Sequence, residues 1–145
     1  MKIRSICADL FSFDGNLDRA NPVAIRVELS NNSAIRIRGS SDGESITVDD
    51  QPLEGPADMA EFGKIEVQQL TDHFDDAILG CEIVTVNEVL DGNNVAVGLT
   101  FNSSETIVLC IWNYGDELHY GNFATMAQQD WGATLRVSSK CYELR

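Results

Sequence analysis

The sequence predicts a mainly β fold, or an α+β fold with little helix. We expect a single curved antiparallel sheet of about seven to nine strands, built from meander-type hairpins, with one or two short helices. Three observations predict it. Apolar and polar residues alternate in several short segments. Turn signals made of Asn, Asp, Gly and Ser separate these segments. The connections are so short, roughly two to four residues, that they can join only antiparallel neighbours. The 145 residues are most simply one domain, residues 1–145.

The clearest hairpin covers residues 23–38. Its first strand alternates from Ile25 to Leu29 and its second from Ile35 to Ile37. Asn31-Asn32 forms the turn, because Asn tolerates a positive φ. Three arginines fall on the opposite alternation, so we expect them on the outward face, where pairs with acidic residues would offset part of the negative charge: Arg26, Arg36 and Arg38.

Shorter elements follow this hairpin. The loop over 49–58 contains two prolines and a glycine, which break regular structure. Thr71 is a candidate cap for a short helix that Gly80 would end. The predicted order is a turn at 40–44, a strand at 45–48, the loop at 49–58, a helical turn at 59–62, a strand at 64–70 and a helix at 71–80.

Strand signals are strongest between residues 83 and 120. We expect strands over 83–90, 95–101, 106–112 and 117–120. The segment from Thr106 to Trp112 is apolar at both alternations, which indicates an interior strand covered on both faces. The helix-like segments near Thr71 and Phe123 are the candidates to cover its second face. A final strand is expected over 133–138.

The cysteine pattern is typical of reduced thiols. Four cysteines are widely spread and form no C-x-x-C motif: Cys7, Cys81, Cys110 and Cys141. No segment approaches the ~20 apolar residues that a membrane span needs. The sequence also shows no apolar stretch typical of a secretory leader. We therefore expect a cytoplasmic protein that does not enter a membrane.

Charge is the most uneven property of the chain. Residues 39–117 contain seventeen Asp and Glu against one basic residue, Lys64, and the whole chain has a formal net charge of -13. The negative electrostatic field of such a chain favours a basic protein partner and disfavours nucleic acid and anionic membranes. Two further roles for the acidity stay open. Acidity aids solubility by itself, and carboxylates can also mimic the phosphates of DNA.

The candidate binding residues are carboxylates in predicted turns, with two aromatic residues beside them. If the acidity serves binding, at least four of these carboxylates should lie within about a Debye length, roughly 8 Å at physiological salt. The candidates are Asp42, Glu44, Asp49, Asp50, Glu54, Asp72, Asp75, Asp76, Asp116 and Glu117, with Trp112 and Tyr114.

No catalytic or cofactor motif is present, so we expect no cofactor. His73 lies among aspartates and His119 follows Asp116 and Glu117, but neither spacing matches a recognised metal site. No nucleophile–base pair or phosphate-binding loop is indicated. Two alternatives to a binding protein stay open: a small metal-dependent or carboxylate-based enzyme, and a structural or oligomeric protein without a ligand.

The segment Ile111–Leu118, with the hairpin over 23–38 and the turn over 41–45, resembles the strand–turn–strand of small acidic bacterial proteins of unknown function. Some of these look like immunity proteins, which neutralise a toxin domain. The resemblance covers about half of the chain and consists of β-turn chemistry. It implies an immunity-type inhibitor that occludes a basic toxin domain, and it carries over no catalytic residue.

Overall fold

The strands lie in two antiparallel sheets that face each other across the larger part of the hydrophobic core. The computed structural model describes residues 1–131 and 134–142. The prediction of a mainly β chain with two short helices is confirmed. The prediction of a single sheet is wrong, because alternation identifies a strand and its buried face but not the sheet to which the strand belongs. Twelve strands are found in the described residues, more than predicted.

The first sheet has seven strands. Its order is β5-β4-β3-β1-β7-β6, with β2 paired to the end of β1. The predicted hairpin over 23–38 is confirmed as β3 and β4, whose turn places Asn32 at a φ of 68°. The strands are β1 (Ile3–Phe13), β2 (Asn16–Leu17), β3 (Ala24–Leu29), β4 (Ala34–Gly39), β5 (Ile46–Asp49), β6 (Ala57–Asp58) and β7 (Lys64–Gln69).

Strand β1 is central to the first sheet, between β3 and β7, yet the alternation pattern does not reveal it. Three consecutive residues, Ala8, Asp9 and Leu10, are buried. One face of β1 packs on the second sheet, while Asp9 on the other face accepts hydrogen bonds from a crossing loop. Because both faces are covered, β1 has no apolar–polar period of two.

The second sheet has five strands in the order β11-β10-β9-β8-β12. Strand β10 pairs with both β9 and β11 and is buried from Val108 to Asn113, so the predicted interior strand is confirmed. The predicted final strand begins at 133, which lies outside the described residues, and the observed one begins at Arg136. The strands are β8 (Thr85–Leu90), β9 (Ala96–Asn102), β10 (Ile107–Tyr114), β11 (Glu117–Gly121) and β12 (Arg136–Cys141).

Two short helices and two 3-10 turns complete the described elements: α1 (Asp76–Leu79), α2 (Phe123–Ala127), and 3-10 turns at Ala60–Phe62 and Thr71–His73. The segment predicted as one helix over 71–80 is therefore divided. Its cap is Asp75 rather than Thr71, because the Asp75 Oδ1 atom accepts the Ile78 amide at 3.0 Å. The Thr71 hydroxyl instead accepts the amide of Ile6.

The core has two parts. The larger part lies between the sheets and includes Leu10, Ile37 and Phe101. The smaller part lies on the outer face of the second sheet, where Met126 of α2 packs against Trp112 of β10. The prediction that the segment near Phe123 covers the second face of β10 is thus confirmed.

All four cysteines have free thiols, as expected from their spacing. Burial raises the pKa of the Cys110 thiol to about 12. In the part of the chain that the structure describes, no helix is both long and apolar enough to cross a membrane.

Candidate functional site

Two turns, one from each sheet, meet at one end of the molecule. The Asp116 amide in the β10–β11 turn donates to the Gly43 carbonyl in the β4–β5 turn at 3.2 Å. The Asn113 Nδ2 atom donates to the Ser45 carbonyl at 3.1 Å. Gly43 has a φ of +73° and Asp116 a φ of +64°, conformations that Gly and Asp tolerate. Turn chemistry thus brings distant acidic segments together.

A cavity of about 500 Å³ lies beside these turns. This volume is within the range of about 300–1,000 Å³ that is common for ligand sites. Among the described residues that line it, four carry carboxylates, two are aromatic and none is Lys or Arg. We call this the acidic cavity; its lining includes Glu44, Asp91, Asp116, Asp130, Asn113, Tyr114 and Trp131.

The aromatic wall of the acidic cavity is held in place. The rings of Tyr114 and Trp131 pack edge to face, with centroids 4.9 Å apart. The Tyr114 hydroxyl donates to the Asp130 carbonyl at 3.0 Å, and the Trp131 Nε1 atom donates to the Met126 carbonyl at 2.8 Å. Both rings are therefore positioned before any ligand arrives.

The side chains of the acidic cavity offer acceptors rather than donors. Its three donor-bearing side chains, Asn113, Tyr114 and Trp131, all donate to backbone carbonyls. Within the described residues, the carboxylates of Glu44 and Asp116 accept no hydrogen bond and form no ion pair. The Oδ1 atom of Asn113 is buried and has no hydrogen-bond partner in the described chain. A ligand of this cavity must therefore bring donors.

A second cavity of about 330 Å³ adjoins the first and shares Asn113 and Asp116 with it. It adds the carboxylates of Asp18 and Glu117, again with no Lys or Arg among the described lining residues. In the amide orientation that satisfies both of its polar atoms, Asn21 donates to Glu117 at 3.3 Å. We call the carboxylates of both cavities the acidic end: Asp18, Glu44, Asp91, Asp116, Glu117 and Asp130.

Four predicted binding residues lie at the acidic end or in its lining: Glu44, Asp116, Glu117 and Tyr114. Asp42 is in the same turn, but its carboxylate accepts the Ser45 hydroxyl at 2.7 Å and the Glu44 and Ser45 amides. The Ser45 hydroxyl bond is the main cause of a lowered pKa at Asp42. Asp42 therefore shapes the turn.

Asp49 and Glu54 are neutralised by arginines of the first sheet, as the alternation of the hairpin suggested. The prediction that Arg36 lies on a solvated face is wrong, because the loop after β5 covers it and leaves it only 5% exposed. Arg36 donates to both Asp49 oxygens at 2.7 Å, and Arg38 lies 3.4 Å from Glu54. The bond from Arg36 is the main cause of the lowered pKa of Asp49. Asp50, the next residue, accepts a hydrogen bond from Gln51. These acidic residues lie outside the acidic end.

The aspartates near α1 also lie elsewhere. Asp75 caps α1, and Phe74 packs against Tyr120 with ring centroids 5.4 Å apart. Tyr120 lies four residues beyond Asp116 in extended chain, about 13 Å along β11. Asp72, Asp75 and Asp76 therefore do not converge with the acidic end.

Trp112 was predicted to contact a partner, but its side chain is only 1% exposed. It stacks on His119 and donates through Nε1 to Gln129. The prediction of a contact through Trp112 is wrong. Trp112 and Tyr114 share the outer face of β10, but α2 covers Trp112, whereas Tyr114 lies at the end of the strand and lines the cavity.

Several cavity residues were not among the predicted ones: Asp18, Asp91, Asp130, Asn113 and Trp131. Asp18 and Asp130 lie outside the acidic middle of the sequence, so charge density gives no signal for them. Asn113 did carry a sequence signal, since it is a polar residue directly after an apolar run. In the structure it is 1% exposed, and buried polar groups usually have a specific partner.

The histidines lie outside the described lining of both cavities. His119 faces Trp112, and its Nε2 atom is 3.3 Å from the Tyr114 carbonyl. Within residues 1–131 and 134–142, no three His, Cys, Asp or Glu side chains are grouped so that they could hold a metal ion.

No protein-family model matches the chain, and comparisons with curated proteins and with solved structures find no match. The site is therefore interpreted from its own chemistry.

Proposed function

We propose that this protein is a binding protein whose acidic end engages a basic protein partner. The observation that carries the proposal is the convergence of six carboxylates around two adjoining cavities with no Lys or Arg in their described lining. Asp49 and Glu54 are paired with Arg36 and Arg38, whereas Glu44 and Asp116 form no ion pair within the described residues.

The most concrete form of the proposal is an immunity-type inhibitor that acts in the cytoplasm on a cationic toxin domain. Inhibition would occur by occlusion, because the acidic end would cover the basic surface with which the toxin grips its substrate. The opposite electrostatic potentials of the two proteins would speed their association, and buried contacts in the cavities would set the dissociation rate. The four free thiols fit a reducing compartment.

The test compares two variants that remove the same charge. The first neutralises the acidic end with Glu44→Gln, Asp116→Asn and Glu117→Gln. The matched control neutralises exposed carboxylates elsewhere with Asp50→Asn, Asp72→Asn and Glu105→Gln. Each immobilised protein captures partners from host lysate at about 0.05 and 0.3 M salt, and quantitative mass spectrometry measures recovery.

We expect a basic protein that the wild type and the control capture at low salt and that the acidic-end variant loses. Equal loss with both variants would show that bulk charge alone is responsible and would contradict the proposal. The thermal unfolding midpoint of each variant establishes that all three proteins are folded.

A further inference from the structure

We infer that the acidic cavity is a receptor for one arginine side chain of the partner, with its guanidinium group against the aromatic wall. This inference rests on the proposed function and specifies which side chain the site selects. It depends on three features of the cavity: acceptors without donors, fixed aromatic rings, and a buried amide oxygen that lacks a partner.

The first feature sets the charge and donor content of the ligand. Glu44 and Asp116 supply carboxylates that accept no hydrogen bond within the described residues, whereas the Asp91 Oδ1 atom accepts the amides of Asn93 and Val95. The donors of Asn113, Tyr114 and Trp131 already serve backbone carbonyls. An anion would meet repulsion here, and a neutral acceptor would find no side-chain donor. A guanidinium group brings five N–H donors and a full positive charge.

The second feature favours a planar cation. Tyr114 and Trp131 are locked in an edge-to-face pair by hydrogen bonds at 3.0 and 2.8 Å. A guanidinium stacks on an aromatic face and can still donate in its own plane to carboxylates. A lysine ammonium is a compact and strongly hydrated charge, so it gains less from a fixed ring.

The third feature is Asn113, which is 1% exposed and lines the cavity. Its Nδ2 atom is used by Ser45, whereas its Oδ1 atom has no partner in the described chain. A buried acceptor without a hydrogen bond carries a desolvation cost of about 1–3 kcal/mol. An N–H donor of the ligand that reaches this oxygen would remove that cost, which favours a ligand with donors over a purely apolar one.

A hard metal ion is the competing occupant of a carboxylate-lined cavity. Metal sites need several ligands at one point, at about 2.0–2.6 Å from the ion. In the described chain no three acidic or histidine side chains are grouped in that way. The carboxylates instead line a cavity of about 500 Å³, which suits a larger organic cation.

The experiment measures the affinity of the full chain for two peptides that differ only in the cation, acetyl-(Arg-Gly-Ser)4-amide and acetyl-(Lys-Gly-Ser)4-amide, at about 0.15 M salt. Isothermal titration calorimetry of the unmodified protein measures both affinities. We expect the arginine peptide to bind about five- to tenfold more tightly, which corresponds to the cation–π range.

Two variants locate the preference. Tyr114→Leu removes the ring face, so the arginine preference should fall to about one. Tyr114→Phe keeps the ring and should retain the preference. The comparison of the two peptides is made on the protein that keeps both Tyr114 and Trp131, so it needs neither variant. A folding defect in Tyr114→Leu would therefore leave the test intact.

The outcomes separate the two ideas. If both peptides bind equally well through the acidic end, as judged by loss of binding in the Glu44, Asp116 and Glu117 variant, the arginine receptor is refuted and the proposed function stands. If neither peptide binds, or if that variant binds as well as the wild type, the acidic end is not a cation-binding surface and both ideas are refuted.

Discussion

The Nδ2 atom of Asn113 donates to the backbone carbonyl of Ser45 at 3.1 Å, across the gap between the two sheets. This bond and the one from the Asp116 amide to the Gly43 carbonyl attach the β10–β11 turn to the β4–β5 turn. Glu44 in one of these turns and Asp116 in the other line the same cavity. The acidic end therefore depends on a polar contact between sheets.

Asn113→Asp should destabilise the protein at neutral pH. The substitution removes the donor to Ser45 and adds a buried negative charge beside Asp116, at a cost of about 3 kcal/mol. The protonated acid can donate to the Ser45 carbonyl, so the loss should shrink as the pH falls toward 4. Urea unfolding at several pH values measures this, and a loss that is independent of pH would contradict the assigned contact.

Arg36→Met should cost about 3–5 kcal/mol of unfolding free energy. Arg36 is buried and donates to both Asp49 oxygens and to the Pro52 carbonyl, so its removal leaves the half-buried Asp49 carboxylate with only the longer ion pair to Arg38. Arg38→Met is the matched control. Arg38 is 35% exposed with contacts of 3.4–3.5 Å, so it should cost about 1 kcal/mol or less. Equal losses in the two variants would be inconsistent with this difference in burial.

The Arg36 contribution should also depend on pH. The pKa of Asp49 in the folded state lies below its ordinary value of 3.8, mainly because of the bond from Arg36. The stabilisation is therefore complete above pH 3.8 and is lost as the pH falls through the lower folded pKa. The difference in unfolding free energy between wild type and Arg36→Met should narrow over that acid range, as measured by denaturant titration.

Asp9 should show the opposite pH dependence. Burial is the main cause of its raised pKa, although the amides of Glu54 and Gly55 partly oppose the shift. Because the folded state binds a proton more readily than the unfolded state, stability from this group rises as the pH falls from above its folded pKa toward 3.8. The unfolding free energy of the wild type should therefore rise relative to that of Asp9→Asn as the pH falls over that range. A relative loss would show that the two amides dominate over burial.

Gly98→Ala should destabilise the outer core by about 1–3 kcal/mol. A Cβ atom at Gly98 would lie 2.8 Å from both the Ile111 carbonyl oxygen and the Met126 Cε atom. Gly121→Ala is the control, because its Cβ atom would meet the Trp112 ring at an ordinary 3.5 Å. Thermal unfolding of both variants checks the prediction. A harmless Gly98→Ala would mean that α2 packs less closely on β9 than described.

The sequence predicted most strands, since alternation and turn residues are local signals. It did not reveal β1, whose two faces are both covered. It also did not reveal that the loop after β5 crosses the outer face of the first sheet to reach β6, where Asp9 and Arg36 hold it. Such contacts join residues more than forty positions apart, as from Asp9 to Glu54, and they leave no local pattern.

The candidate site was predictable only in part. Turn residues such as Glu44 and Asp116 were identified by charge and accessibility. Their meeting depends on the relative placement of two sheets, which no periodicity encodes. Charge density also favoured residues such as Asp49, which the structure pairs with Arg36. Residue type therefore located the candidates, and tertiary packing selected among them.

NMR mapping of a peptide contact tests the role of the acidic end most directly. The ¹⁵N-labelled protein is titrated with acetyl-(Arg-Gly-Ser)4-amide at about 0.15 M salt, where exposed charges more than roughly 8 Å apart are screened. We predict that the largest shift changes occur at the amides of Gly43, Tyr114 and Gly115 and at the indole of Trp131. Changes centred on residues 72–76, or spread evenly over the acidic residues, would contradict the central claim that the acidic end is the binding surface.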